Sequence, residues 1–106
     1  MKTQYIIIFI TAKDKKEAAT IAKALLGCQV IACANITGPI QSLFRWQGKI
    51  DSSKEVLLIL KTKKYLFKKV MTKVKSLHSY QTPEIIALPI IAGSRDYLNW
   101  INSSCV

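Results

Sequence analysis

Apolar and polar residues follow two different periods along the chain, and each change of period marks a predicted element. Residues 5–11 are an almost unbroken run of β-formers, which predicts a central strand in a tight core. Asp14 followed by Glu17 is typical of a helix start, because each side chain can accept a hydrogen bond from a free backbone amide. Apolar residues then recur at helical spacing as far as Gly27, a plausible C-terminal stop. The chain is therefore predicted to begin with a strand and a helix.

A long hairpin is predicted for the middle of the chain. Residues 30–35 are extended, Gly38-Pro39 interrupts them with a bend or a bulge, and extended character resumes over residues 40–46. Gln47-Gly48 is a two-residue turn signal, and the return strand runs over residues 49–61.

The last third of the chain predicts a helix, a strand and a further short helix. Residues 63–78 carry one apolar stripe, Pro83 ends the following connection, and residues 84–91 form the last strand. Ser94 with Asp96 in the next turn opens a short terminal helix. The predicted fold class is α+β, a ferredoxin-like βαββαβ sandwich with an extra short C-terminal helix. No repeat or linker divides residues 1–106, so we expect a single domain.

The predicted hairpin is longer than the helix that can cover it. Strands of about 12–16 residues extend about 40–50 Å, whereas a helix of about 13–16 residues shields only about 20–24 Å. Leu43, Phe44 and Trp46 would then project at an exposed edge, and such edges invite pairing with another chain. We therefore predict self-association through the hairpin. The alternative is that the bend at Gly38-Pro39 folds the tip back over its own sheet.

Charge and cysteine content narrow the function classes. The net charge of +10 comes almost entirely from lysine, with Arg45 and Arg95 as the arginines. This charge favours anionic partners in general but disfavours nucleic acid, which proteins usually recognise through arginine.

No apolar run reaches the roughly 18 residues of a membrane span, and the apolar start of the chain is interpreted as a strand of a cytoplasmic protein. Cys28, Cys33 and Cys105 form no C-x-x-C pair, which indicates free thiols in a reducing compartment.

Several segments occur in an order that resembles the CutA divalent-ion tolerance family over nearly the whole chain. The most specific are Phe44-Arg45-Trp46-Gln47-Gly48-Lys49-Ile50 and His78-Ser79-Tyr80-Gln81-Thr82-Pro83-Glu84-Ile85. The resemblance implies a cytoplasmic homotrimer with strands exchanged between subunits, akin in shape to PII-type signalling proteins. It also implies association with divalent metals, notably copper. Ile10 and Leu77 stand where copper-binding members can carry cysteine and histidine.

Two residues are candidate metal ligands, for copper or zinc. His78 lies where the predicted second helix ends, and imidazole binds both ions, although a histidine at a helix C-terminus is also favoured by the helix dipole. Cys33 lies in a strand, where it can equally serve as a small apolar side chain. We expect no required cofactor, and any metal site would need ligands from another subunit.

A polar ligand pocket is also predicted. Glu84 stands at the entrance of an apolar strand, where Lys61 or Tyr80 could pair with it, and Trp46 and Trp100 are large aromatic anchors. The alternative for Glu84 is a solvated strand end.

These features favour a non-catalytic protein linked to divalent metal binding and tolerance. A PII-like small-ligand signalling trimer is the alternative. A basic nucleic-acid module is disfavoured because the aromatic segment of RNA-recognition folds is absent. An enzyme has no evident nucleophile–base pair to support it.

Overall fold

The computed structural model describes residues 4–106. Residues 1–3, which the sequence analysis included in the domain, lie outside the described residues. These described residues form five strands and three α-helices in the order βαβββαβα. They are β1 (Tyr5–Ala12), α1 (Lys15–Gly27), β2 (Cys33–Ile36), β3 (Ile40–Trp46), β4 (Lys49–Lys63), α2 (Phe67–Leu77), β5 (Ile85–Pro89) and α3 (Arg95–Ser104). When β2 and β3 are counted as one bent arm, the element order is the predicted βαββαβ pattern with an extra C-terminal helix. The predicted ferredoxin-like α+β fold class is therefore confirmed.

Element boundaries differ from the prediction by a few residues, for local reasons. The first strand of the hairpin begins at Cys33 rather than Val30, because Val30 N–H still bonds Leu25 O (3.2 Å) to close α1. A 3₁₀ turn, Lys64–Leu66, precedes α2, so this helix starts later than predicted. The last strand ends at Pro89, short of the predicted residue 91.

The sheet is antiparallel, with strand order β2-β4-β1-β5 and β3 paired to β4 beyond β2. Thr37 joins β2 to β3: its N–H donates to Leu57 O (2.9 Å), and its hydroxyl accepts from Leu57 N–H (2.9 Å). The predicted break at Gly38-Pro39 is therefore a bend in an arm that stays on β4.

One face of the sheet carries the core. Alternate residues of β1 and β4 point toward α1 and α2 and are almost fully buried. The buried set on the strands is Ile6, Ile8, Ile10, Ala12, Val56, Leu58, Leu60 and Thr62, and the helices add Ala18, Ile21, Leu25, Val70 and Val74. The buried hydroxyl of Thr62 donates to Val30 O (2.6 Å).

The opposite face of the sheet is apolar but only partly covered. The register places Phe9 between Ile59 and Ile86, and Ile7 opposite Leu88, so these side chains share that face. Ile86 and Leu88 are 50% and 44% exposed. Of the helices, α3 reaches this side at one end, where Lys63 Nζ donates to Asn102 Oδ1 (3.0 Å).

The hairpin projects beyond β1. Because β1 ends at Ala12, opposite Val56, residues 49–55 of β4 pair with β3 alone. Leu43, Trp46 and Ile50 are exposed, so the tip does not fold back over its own sheet. The molecule reaches 44 Å in its longest dimension. None of the helices in residues 4–106 combines the length and apolarity that crossing a membrane requires.

Candidate ligand cleft beside the hairpin

A cleft of about 790 Å³ lies between the hairpin and the segment that follows α2. Its walls come from the end of β1, from β3 and β4, and from the connection leading into β5. The lining residues are Thr11, Ser42, Leu43, Phe44, Trp46, Asp51, Ser53, Glu55, Tyr80, Gln81, Thr82 and Glu84. Small-molecule sites in proteins typically have volumes of about 300–1,000 Å³, so the cleft has the size of a ligand site.

Glu55 and Tyr80 form the polar centre of the cleft. Glu55 lies on β4 where the strand passes from the hairpin to the core, and it is only 8% exposed. The Tyr80 hydroxyl donates a hydrogen bond to Glu55 Oε2 (2.8 Å). Burial, together with this bond and the charge of Glu55, raises the pKa of Tyr80 to about 12. Tyr80 therefore remains a neutral hydrogen-bond donor at physiological pH.

His78 fixes the position of Tyr80 from the C-terminus of α2. The His78 Nδ1 atom accepts from Tyr80 N–H (3.0 Å), and the aromatic ring centroids are 4.7 Å apart. Because Nδ1 is the acceptor, the proton lies on Nε2, which donates to Thr11 O (2.7 Å). The side chain of His78 is fully buried, and both ring nitrogens are engaged within the chain.

Glu17 connects the start of α1 to the same segment. Its carboxylate accepts from Ser79 N–H (2.9 Å) and Lys13 N–H (3.1 Å), and it lies 4.0 Å from His78 Nδ1. Burial by itself would raise the pKa of Glu17, but the hydrogen bonds from Ser79 and Lys13 outweigh it and lower that pKa. The Asp14 carboxylate accepts from Glu17 N–H (2.8 Å), which confirms the helix start predicted from these two residues.

The cleft is acidic in a strongly basic chain. The sequence has six aspartates and glutamates against sixteen lysines and arginines, and three of those six acids, Asp51, Glu55 and Glu84, line the cleft. No lysine or arginine lines it. Exposed aromatic rings from Phe44 and Trp46 stand beside the carboxylates. Such a lining suits a cationic ligand, which carboxylates and aromatic faces both attract.

A second polar cluster lies toward the other end of β4. Cys33 pairs with Lys61 in the sheet register, and Lys61 Nζ donates to Asn35 Oδ1 and approaches Cys33 Sγ to 4.0 Å. Tyr97 of α3 is close by: burial and then the neighbouring Cys33 raise its pKa. Trp100 packs on Tyr97 with ring centroids 5.4 Å apart.

The five residues predicted for a ligand pocket therefore divide between two places. Trp46, Tyr80 and Glu84 line the cleft, whereas Lys61 and Trp100 lie with or beside the Cys33 cluster. Glu55, the hydrogen-bond acceptor at the centre of the cleft, is not among the residues predicted for the pocket. The available signal was an acidic residue placed directly before the apolar run of residues 56–60.

The two predicted metal ligands lie too far apart to share one ion within a chain. His78 bonds Thr11, which pairs with Leu57, whereas Cys33 pairs with Lys61. Four residues along β4 correspond to about 13 Å. Within residues 4–106 no three histidine, cysteine, aspartate or glutamate side chains are grouped as a metal site requires. The donor set of a single chain thus does not fit a specific copper or zinc centre.

Comparison with known proteins decides the family. Residues 6–104 match the model of the CutA1 divalent ion tolerance protein family. The chain belongs to this family. A CutA1 relative, the divalent-cation tolerance protein CutA of Thermus thermophilus, is 43% identical over 98 residues, which cover 92% of this chain and 95% of that protein. The resemblance inferred from the sequence is confirmed.

Solved CutA structures share the fold. The structure from Archaeoglobus fulgidus, described there as a periplasmic divalent cation tolerance protein, has a TM-score of 0.92 and 44% identity, covering 94% of this chain and 97% of that one. CutA1 from Oryza sativa has a TM-score of 0.95 and 35% identity, covering 98% and 95%. The names of the Thermus thermophilus and Archaeoglobus fulgidus proteins designate divalent cation tolerance proteins.

Proposed function

We propose that this chain is the non-catalytic subunit of a cytoplasmic homotrimer that acts in divalent metal tolerance. The proposed assembly rests on a single observation, the partly uncovered apolar face of the sheet. This face continues into the hairpin, where residues 49–55 of β4 pair with β3 alone. Family membership supports the link to divalent ions. The resemblance noted above implies that the oligomer has three subunits.

Assembly would cover surfaces that are unfavourable in a lone chain. Burying an apolar side chain completely is worth about 1.5–3 kcal/mol, so half-exposed Ile86 and Leu88 would each contribute about half of that per subunit. The free edge of residues 49–55 also offers backbone amides and carbonyls to a further strand.

We propose that copper or zinc is held between copies rather than within one. His78 and Cys33 remain the proposed nitrogen and sulfur ligands, and carboxylates of the hairpin cleft could be brought in by a neighbouring subunit. In the single chain His78 already uses both ring nitrogens, so metal binding there would replace one of its two hydrogen bonds.

The assembly is tested by light scattering at micromolar concentration. We expect a trimer for the unmodified chain and a smaller species for Leu88→Lys, which places a charge on the uncovered face. Leu26→Lys is the matched control, because Leu26 is 42% exposed on α1, away from that face. A monomeric unmodified chain, or equal effects of both variants, would contradict the proposal.

Metal binding is tested by calorimetric zinc titration of the oligomer under reducing conditions. We expect binding at no more than one ion per chain, because a trimer has three equivalent interfaces for three chains, and weaker binding for His78→Ala. The control is Cys28→Ser, which removes an exposed thiol outside both clusters. Absence of any copper or zinc binding would refute direct metal sensing by this protein.

The cleft itself favours a second candidate, a small-ligand signalling trimer of the PII-like kind. Its volume, the hydrogen bond between Tyr80 and the buried Glu55, and its acidic lining suit a small cationic molecule. Quenching of Trp46 fluorescence by such a molecule, lost in Glu55→Gln, would favour this function over metal tolerance.

The cytoplasmic location rests on the three free thiols, which a reducing compartment preserves. Cell fractionation tests it, and recovery with a periplasmic marker would refute it.

A further inference from the structure

A second groove lies on the helical side of the molecule, away from the hairpin. It has a volume of about 780 Å³ and runs between α2 and the segment that follows α1. Its floor is apolar, from Cys28, Val30 and Val106, and its rim carries Lys68, Lys69 and Lys73.

The wall opposite α2 is held by two hydrogen bonds that the backbone of Val106 makes. Val106 N–H donates to Gln29 O (2.9 Å), and Val106 O accepts from the hydroxyl of Tyr65. The groove is therefore formed before a ligand arrives, which lowers the entropy cost of binding.

The charge of the rim is not neutralised by the chain. Residues 63–78 contain six lysines and no aspartate or glutamate. Among residues 4–106, no lysine of α2 takes part in a salt bridge. Val70 and Val74 hold the opposite face of α2 in the core, so Lys68, Lys69 and Lys73 point outward.

We propose that this groove binds an acidic segment of a partner protein whose carboxylates are interspersed with apolar side chains. Lys69 and Lys73 are one helical turn apart, about 6 Å along the axis. Carboxylates on one face of an extended peptide repeat about every 6.7 Å, which matches that spacing. The apolar side chains of the segment would contact Val30, Val106 and Cys28 on the floor.

Nucleic acid fits the groove less well, although it is also anionic. No arginine and no aromatic residue lines the groove, so it lacks the planar phosphate fork and the rings on which bases stack. The groove lies against α2, on the opposite side of the sheet from the uncovered apolar face through which the trimer is proposed to form.

The test uses the full chain and a fluorescein-labelled peptide of three Glu-Leu-Glu-Gly repeats, measured by fluorescence anisotropy at low salt. We expect the double variant K69Q/K73Q to weaken binding about tenfold, because two exposed charge pairs with the peptide are lost. The matched control is K15Q/K16Q, which removes the same charge at the start of α1, about 20 Å along that helix from Cys28. We expect less than a twofold change for it.

Two further probes separate the groove from a merely charged surface. Replacing leucine by serine in the peptide should weaken binding about tenfold, because the apolar contacts with the floor are lost. A twelve-base-pair DNA duplex should bind more weakly than the Glu-Leu-Glu-Gly peptide. The proposal is overturned by any of four results: no binding of the peptide, equal loss in both double variants, equal binding of the serine peptide, or tighter binding of the duplex.

Discussion

Removing the hydroxyl of Tyr80 is the sharpest test of how the cleft is held together. In Tyr80→Phe the buried Glu55 carboxylate loses the donor that lies 2.8 Å away. A hydrogen bond to a charged group contributes about 1.5–3 kcal/mol. Tyr80 is partly exposed, so solvent can replace some of the interaction. We therefore expect the free energy of unfolding to fall by about 1.5 kcal/mol, at the lower end of the range.

A double variant separates this bond from general effects of the substitution. Replacing both partners, as in Tyr80→Phe with Glu55→Leu, leaves no buried carboxylate without a donor and should recover part of the loss. Tyr5→Phe is the matched control, because it also removes a phenol hydroxyl. Residues 4–106 provide no hydrogen-bond partner for the hydroxyl of Tyr5.

The assay is urea unfolding at one fixed protein concentration, because the stability of an oligomer depends on concentration. The midpoint should shift more for Tyr80→Phe than for Tyr5→Phe, and the double variant should lie between Tyr80→Phe and the unmodified chain. Equal shifts in the two single variants would show that the Tyr80–Glu55 bond contributes nothing to stability.

Three further outcomes follow from groups described above. Glu17→Gln should lower the free energy of unfolding at neutral pH, because the ionised form of Glu17 is the one that stabilises the fold. The difference in unfolding free energy between the two proteins should vanish as pH falls through the lowered pKa of Glu17, which acid titration of both proteins checks. The raised pKa of Tyr80 contributes stability that is fully present below pH 10 and is lost as pH rises through about 12. Near-ultraviolet titration should show a phenol that titrates near pH 12 and is missing in Tyr80→Phe, whereas the raised pKa of Tyr97 should remain. Leu60→Ala, in the centre of the core, should cost about 2–5 kcal/mol in urea unfolding, and a loss below 1 kcal/mol would contradict the packing described.

Local signals made much of the fold predictable. The start of α1 depends on two side chains three residues apart, and Asp14 and Glu17 make the contacts that their spacing indicates. The interruption at Gly38-Pro39 is one of the two predicted alternatives, a bend rather than a bulge, and extended sequence resumes immediately after it. Boundaries were wrong where a neighbouring element decides them, as at Val30, which closes a helix before the strand begins.

The candidate site was less predictable, because its contacts join distant parts of the sequence. Glu55 and Tyr80 are 25 residues apart, and neither carries a local signal for the other. Lys61 was assigned to the same pocket as Glu84, but its position along β4 places it beside Cys33 instead. The alternation of apolar and polar residues along a strand predicts which face of the sheet a side chain occupies. How close that side chain lies to one on another strand depends on the register between the strands.

The fifteen residues of β4 span two very different environments. Residues 56–63 have β1 on one side and, over much of their length, β2 on the other, whereas residues 49–55 bond to β3 alone. In an isolated subunit, backbone amide protons of residues 49–55 that point away from β3 would exchange with solvent deuterium quickly, while those of residues 58–61 would exchange only on global opening. Docking of a neighbouring strand would slow exchange at residues 49–55 and leave exchange at residues 58–61 unchanged. Amide exchange along this one strand would therefore measure folding of the subunit at one end and its association at the other.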